Sequence, residues 1–185
     1  MLTSLFNQFG KIALRAASVG RIAWLRLRFP GAKISWDCTI QRGCKIQVQT
    51  GGRLILDGVE LGQGVVLWAG KGAHLEIRDT YVGYYSVIKA KASVVIQPDC
   101  MIAEMVVIRD HNHQFGAPGK SIRAQGFTTA PISIGRNVWI AAKASVLEGV
   151  SIGENAVIGA HALVNSDVAA NSVAVGIPAK QVKTF

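Results

Sequence analysis

From residue 132 onward, aliphatic residues return at every sixth position: Ile134, Ile140, Val146, Ile152, Ile158 and Val164. A second register two residues earlier holds Ile132, Val138, Ala144, Val150, Ala156, Ala162 and Val168. Gly135, Gly153 and Gly159 follow the first register directly, with Ala141 at the same place. No α-helix reads this way, because six residues turn the side chain through about 600° and carry it off any one stripe. An alternating strand explains positions two apart but not the recurring glycine. A short strand, a turn and another short strand every six residues explain both. Three such units close a triangular coil, and stacked coils bury their inward ladders through parallel backbone hydrogen bonds. The pattern predicts an all-β solenoid, a left-handed parallel β-helix of hexapeptide repeats.

The same spacing returns upstream with slips. Ile34, Ile40 and Ile46 share one phase, and Ile55, Leu61 and Leu67 another; Val82 and Ile88 precede an eight-residue step to Ile96, Ile102 and Ile108. Such slips read as bulges or small loops at the corners of the triangle. Cys38, Cys44 and Cys100 each stand two before a register aliphatic, where small inward side chains belong. They read as structural and not as a disulfide framework or a catalytic thiol.

Residues 2–27 follow a different rule. Leu2, Leu5, Phe6, Phe9, Ile12, Ala13, Ala16, Ala17, Ala23, Trp24 and Leu27 recur at three and four, which gathers them on one side of a helix. Gly20 is a place where that helix could split, and Phe29-Pro30-Gly31 ends it. The division expected is therefore an amphipathic helical segment over 1–30 and a β-helix domain over 31–185. Capping of the first coil and contact with an anionic membrane are both open to the segment.

Charge sharpens the second possibility. The chain carries a formal +9, and residues 1–28 hold Lys11, Arg15, Arg21, Arg26 and Arg28 with no acid. The remaining excess is modest and spread over the body, a poor footprint for nucleic acid. No long apolar run suggests a spanning helix, and Lys11 and Arg15 interrupt any signal-like core. The location expected is cytoplasmic, or peripheral at the inner face of the cell membrane.

The periodicity fails once, between Ile108 and Ile132, in the segment RDHNHQFGAPGKSIRAQGFTTAP. A polar loop thrown out of a rigid scaffold is where chemistry is usually placed, so residues 109–131 are the candidate active-site loop. His111 and His113 open it, two apart and on one face of an extended chain. Imidazole exchanges a proton near neutral pH, which suits a general base; Asp110 or the other histidine is placed to orient it. A metal pair lacks an evident third ligand apart from Asp110 or the distant His74 and His161, and no metal is expected.

These residues resemble the hexapeptide-repeat acyltransferase family, in particular the branch that O-acetylates sugars. The likeness spans residues 34–183. It is carried by IRDHNHQF at 108–115, Gln125-Gly126, ISIGRNVWIAAKASVLEGVSIGENAVIGAHALV at 132–164 and VGIPAKQV at 175–182. It implies a homotrimer with sites in the grooves between subunits, and direct acetyl transfer from acetyl-CoA to a sugar hydroxyl of a surface polysaccharide or its lipid-linked precursor. It makes His111 the base, with His113 and Asp110 beside it. Trp139 would line the groove by the acetyl group, the backbone N–H groups of Ala142 and Ala160 would meet the pantetheine arm, and Lys180 and Lys183 would supply charge to the CoA phosphates. Ser166 stands where such relatives often carry a lysine, and an acceptor-binding asparagine is not recognisable around Gly83-Tyr84-Tyr85-Ser86. Acyl transfer to an amine on an amino sugar or antibiotic, or a non-catalytic or metal-binding β-helix, are the alternatives.

Overall fold

The computed structural model describes residues 2–185, with side chains from residue 14 onward, so the expectations for Leu2, Leu5, Phe6, Phe9, Lys11, Ile12 and Ala13 lie outside the described side chains. Helix α1 (Leu2–Arg28) leads into a left-handed parallel β-helix with three faces. The first face stacks Ala32–Ile34, Arg53–Asp57, His74–Arg78, Ser93–Ile96, Ile132–Ile134 and Ser151–Ile152. The second runs from Thr39–Ile40 through Trp139–Ile140 and Val157–Ile158 to Ser172–Val175, and Lys180–Thr184 folds back antiparallel on its end. The third carries Lys45–Val48, Val66–Ala69, Val87–Ala90, Val107–Arg109, Ser145–Val146 and Leu163–Val164.

Both aliphatic registers point inward. Ile134, Ile140, Val146, Ile152, Ile158 and Val164 are buried, and so are Ile132, Val138, Ala144, Val150, Ala156, Ala162 and Val168. In the C-terminal part Ser133 pairs with Ser151, eighteen residues on. Upstream, Glu60 pairs with Tyr81, twenty-one residues on. The phase slips are these longer coils, whose extra residues lengthen strands and corners; on one such strand Leu54 and Leu56 are the buried residues, and Ile55, read as a register position, points outward. The repeated glycines have a steric reason: a Cβ on Gly153 would lie 2.4 Å from the Ala170 nitrogen of the next coil. Cys38 and Cys100 are buried and Cys44 partly so, and burial pushes all three thiols above their ordinary range.

Helix α1 is unbroken at Gly20. Among its described side chains, Ser18, Ile22 and Leu25, four and three apart, are buried. The Ser18 hydroxyl donates to the Cys38 carbonyl (3.3 Å) and accepts the Ile40 N–H (2.8 Å), while Arg21 donates to the Ile40 carbonyl (3.0 Å). The helix thus covers the open edge of the first coil. It does so with a mixed face. The described part of the apolar stripe read from the sequence turns the other way: Ala16, Ala17, Ala23, Trp24 and Leu27 are all exposed, Leu27 at 85%.

Candidate active site

The excursion leaves the third face after Arg109 and rejoins the first at Ile132. It is less irregular than a loop. His111–His113 pairs antiparallel with Phe127–Thr129, and a 3-10 turn covers Ile122–Ala124. The side chain of Gln125 closes the far end by accepting the Ala117 N–H and donating to the Lys120 carbonyl, both at 2.9 Å. Thr128 ties the hairpin to the next coil through Glu148 (2.8 Å).

At the root of this hairpin Asp110 is fully buried. Its two carboxylate oxygens accept the backbone N–H groups of Lys91 and Ala92, each at 2.7 Å, at the corner of the preceding coil. One of those oxygens lies 3.0 Å from His111 Nδ1. Because both oxygens are committed as acceptors, Nδ1 is the nitrogen that donates, and in the neutral imidazole this leaves Nε2 with its lone pair. His111 is held in one tautomer and one ring orientation by the rigid coil beneath it, its side chain 12% exposed.

His113 has no such clamp. It is exposed and packs on Phe127, ring centroids 4.3 Å apart. Of the two orienting groups that the sequence offered, Asp110 is therefore the one bonded to His111. Around the His111 ring stand Trp68 at 6.2 Å and Phe127 at 6.0 Å, with Lys91 Nζ 3.7 Å over the Phe127 ring. A cleft of about 290 Å³ opens beside it between Arg109, His113, Ser145 and Glu148. Sequence reading missed Trp68, Lys91, Phe127 and Glu148. Each occupies an outward position, where no periodicity distinguishes it.

The remaining candidates lie elsewhere on the prism. Trp139 projects from the second face, 46% exposed. Ala142 and Ala160 occupy equivalent places on successive coils, two residues past the paired Ile140 and Ile158, at the corner between the second and third faces. Among the described residues their N–H groups have no hydrogen-bond partner. Lys180 and Lys183 are exposed on the terminal strand. His111 instead sits at the corner between the third and first faces, so these groups and the base share no face of one chain. His74 bonds Glu76 on the first face, His161 turns the second corner, and among the described residues no three potential metal ligands converge.

Comparison with known proteins agrees with this architecture. Residues 131–166 match the bacterial transferase hexapeptide family (six repeats). A relative named probable acetyltransferase Rv3034c, from Mycobacterium tuberculosis, is 35% identical over 102 residues, which are 55% of this chain and 34% of that protein. Galactoside O-acetyltransferase of Escherichia coli is 32% identical over 114 residues, 60% of this chain and 55% of that one. The chain thus spans about a third to a half of the length of these relatives. The crystal structure of AntD, an N-acyltransferase from Bacillus cereus, in complex with dTDP and 3-hydroxybutyryl-CoA, superposes with a TM-score of 0.72 at 17% identity, covering 86% of each chain. Fold, repeat and matched residues together show a left-handed β-helix of hexapeptide repeats, and make the chain similar to the hexapeptide-repeat transferases.

Proposed function

We propose that this protein transfers an acyl group from an acyl-CoA thioester directly to a nucleophile on a sugar, with His111 as general base. The observation that carries the reading is the buried Asp110 carboxylate, which fixes His111 with Nε2 free beside an open cleft. Nε2 takes the proton of the acceptor as its oxygen or nitrogen attacks the thioester carbonyl, and CoA thiolate leaves. A histidine clamped through Nδ1 needs no reorganisation before it accepts that proton. Ala142 and Ala160 offer stacked, unpaired N–H groups to an extended pantetheine arm, beside Trp139, and Lys180 and Lys183 offer cations to the phosphates.

Two acceptors suit the site. Likeness over most of the chain to an N-acyltransferase favours an amine, as on an amino sugar. Local identity to a galactoside O-acetyltransferase favours a hydroxyl, of which a surface polysaccharide or its lipid-linked precursor is the narrower form. Release of free CoA thiol from acetyl-CoA, measured with matched hexoses and amino-hexoses, separates them. Turnover with neither class, under conditions where CoA binds, overturns the acyltransferase reading.

Because the base and the donor-binding groups lie at different corners, the complete site needs a second chain. The second face presents Tyr81, Met101 and Trp139 in register as an exposed apolar column, suited to a copy of the same protein. The assembly expected is a homotrimer. Sedimentation is expected to give the mass of three chains; a stable, active monomer rules this out.

Helix α1 completes the picture at the membrane. Its outward stripe includes Trp24 and Leu27, and Arg15, Arg26 and Arg28 are exposed on the same helix. Each basic residue near an anionic surface adds about 1 kcal/mol of attraction. The intact protein is expected to sediment with phosphatidylglycerol vesicles at low salt and not with phosphatidylcholine vesicles. The W24S/L27S variant, which leaves the buried Ser18, Ile22 and Leu25 untouched, is expected to lose most of that binding.

A further inference from the structure

Helix α1 plugs the N-terminal end of the prism. Ile22 and Leu25 join the hydrophobic core through the open mouth of the first coil, and the strands that the helix chiefly meets are Ala32–Ile34 and Thr39–Ile40 of that coil. Its outward side therefore points away from the stacked coils, along the axis of the prism. Leu27 stands there between two arginines. Arg26 and Arg28 are two apart on the helix, about 200° around it, and so turn to opposite sides. Arg26 lies over the Trp36 ring, 4.7 Å from its centroid, and Arg28 lies 5.1 Å over the Phe29 ring. Trp24 meets that same Phe29 ring edge-on at 6.4 Å. An aromatic ring carrying a guanidinium thus flanks the helix on each side.

Each pair opens onto a groove. One, of about 750 Å³, runs from Arg26 and Trp36 over Lys33, Ile55, Asp57 and Arg78 of the first face. The other, of about 470 Å³, runs from Arg28 and Phe29 over Val48, Gln49, Thr50 and Lys71. Charge at this end is one-sided: residues 14–40 carry Arg15, Arg21, Arg26, Arg28 and Lys33 against the single acid Asp37. Asp37 accepts the Ser35 hydroxyl, and Asp57, in the larger groove, faces Arg78 at 3.7 Å. Arg26, Arg28 and Lys33 have no acid within ion-pair distance among the described residues. Such a surface suits the headgroup layer of a bilayer, with rings and aliphatic stems at the apolar boundary and guanidinium groups among the phosphates.

We infer that this whole end of the prism, helix and first coil together, docks on an anionic phospholipid bilayer, so that the β-helix stands upright on the membrane. The inference rests on the adsorption of α1 proposed above and deepens it. It adds Trp36 and Phe29, from outside the helix, to the docking surface, and it fixes the pose. The pose sets a height for the base. On the third face Ile46, Leu67, Ile88 and Ile108 pair in succession, and His111 follows the last of them by three residues. Three coil spacings of about 4.8 Å above a helix about 10 Å across put His111 roughly 25 Å from the outer side of the helix. Acyl-CoA dissolved in water therefore meets the base clear of the lipid. An acceptor anchored in the bilayer reaches that base only with a part remote from its anchor.

Fluorophores attached singly through Gln47→Cys, Ala117→Cys and Thr184→Cys, in a Cys44→Ala background, report the pose on phosphatidylglycerol vesicles that carry a short-range acceptor dye on the headgroup. The three sites are exposed on the first coil, the hairpin and the terminal strand. Energy transfer is expected to fall at least twofold at each step in that order. Equal transfer from all three, or the reverse order, overturns the proposal. W36S is expected to weaken binding to these vesicles about fivefold or more. Y84S, which removes an exposed aromatic farther up the coils, is expected to weaken it less than twofold. Equal weakening by the two, or by neither, overturns the proposal too. The transfer series leaves the aromatic pairs unaltered and decides the pose if W36S does not fold. A sedimentation mass that W36S lowers in the absence of lipid marks this end as a contact between copies of the chain and overturns the lipid assignment. Failure of the unaltered protein to bind the vesicles removes the membrane reading together with this one, whereas binding without the transfer gradient removes this one alone.

Discussion

Replacing His111 with alanine is expected to lower turnover by roughly 10²–10⁴-fold, the usual worth of a positioned acid–base group. The buried carboxylate of Asp110 aims this ring by a 3.0 Å bond to Nδ1, and the side chain lies at the mouth of a cleft. CoA affinity is expected to stay within about twofold, because Trp139, Ala142 and Ala160 lie on other parts of the coil and the base acts on the acceptor's proton. His113→Ala is expected to have a far smaller effect, since His113 is exposed and packs on Phe127 without a carboxylate partner. Steady-state kinetics and equilibrium CoA binding on the two variants decide the assignment. A dead His113→Ala beside an active His111→Ala would reverse the roles.

Asp110→Asn is expected to be the second most damaging change, and to act on two quantities at once. The carboxylate accepts two backbone N–H groups and faces Nδ1–H of His111. An amide keeps one accepting oxygen but turns an NH₂ toward a donor, leaving a buried group unpaired at a cost of about 1–3 kcal/mol. The melting midpoint therefore falls. Turnover is expected to fall by about 10²-fold as well, because Nδ1 loses the acceptor that fixed its proton and Nε2 is no longer reliably free. The His111→Ala background separates these effects. There, Asp110→Asn is expected to lower the melting midpoint as before while costing no further turnover. Additive losses of turnover would mean that Asp110 acts on the reaction by some route other than His111.

Much of this was legible in the sequence, and unevenly so. The interior ladders were readable because each inward position meets the same neighbours on every coil, so the same size of aliphatic recurs at every sixth place. The break between Ile108 and Ile132 was readable for the complementary reason: an excursion has no interior to fill. Asp110, His111 and His113 were found there by residue type alone, and residue type could not rank them. The family resemblance named His111, and the physical reason to prefer it lies in the corner N–H groups of Lys91 and Ala92, which approach Asp110 only because the preceding coil stacks beneath it.

The helix marks the limit of pattern reading. Its apolar stripe was read from spacing, but the spacing left open which way the stripe faces, because burial is decided by fit to the partner surface and not by hydrophobicity alone. Ser18 and Arg21 satisfy the exposed edge groups of the first coil at Cys38 and Ile40, so the face with Ile22 and Leu25 turns inward and Trp24 and Leu27 stay outside. Outward side chains on the coils obey no repeat, because solvent accepts any of them. What brings Trp68 beside His111, and Lys91 over the Phe127 ring, is the stacking of coils distant in sequence. The sequence by itself thus determined the solenoid, its core and the place where it opens. Tertiary structure alone decided which histidine is clamped and which described helix face is free, since each depends on contacts between coils, or between helix and coil, that no local spacing records.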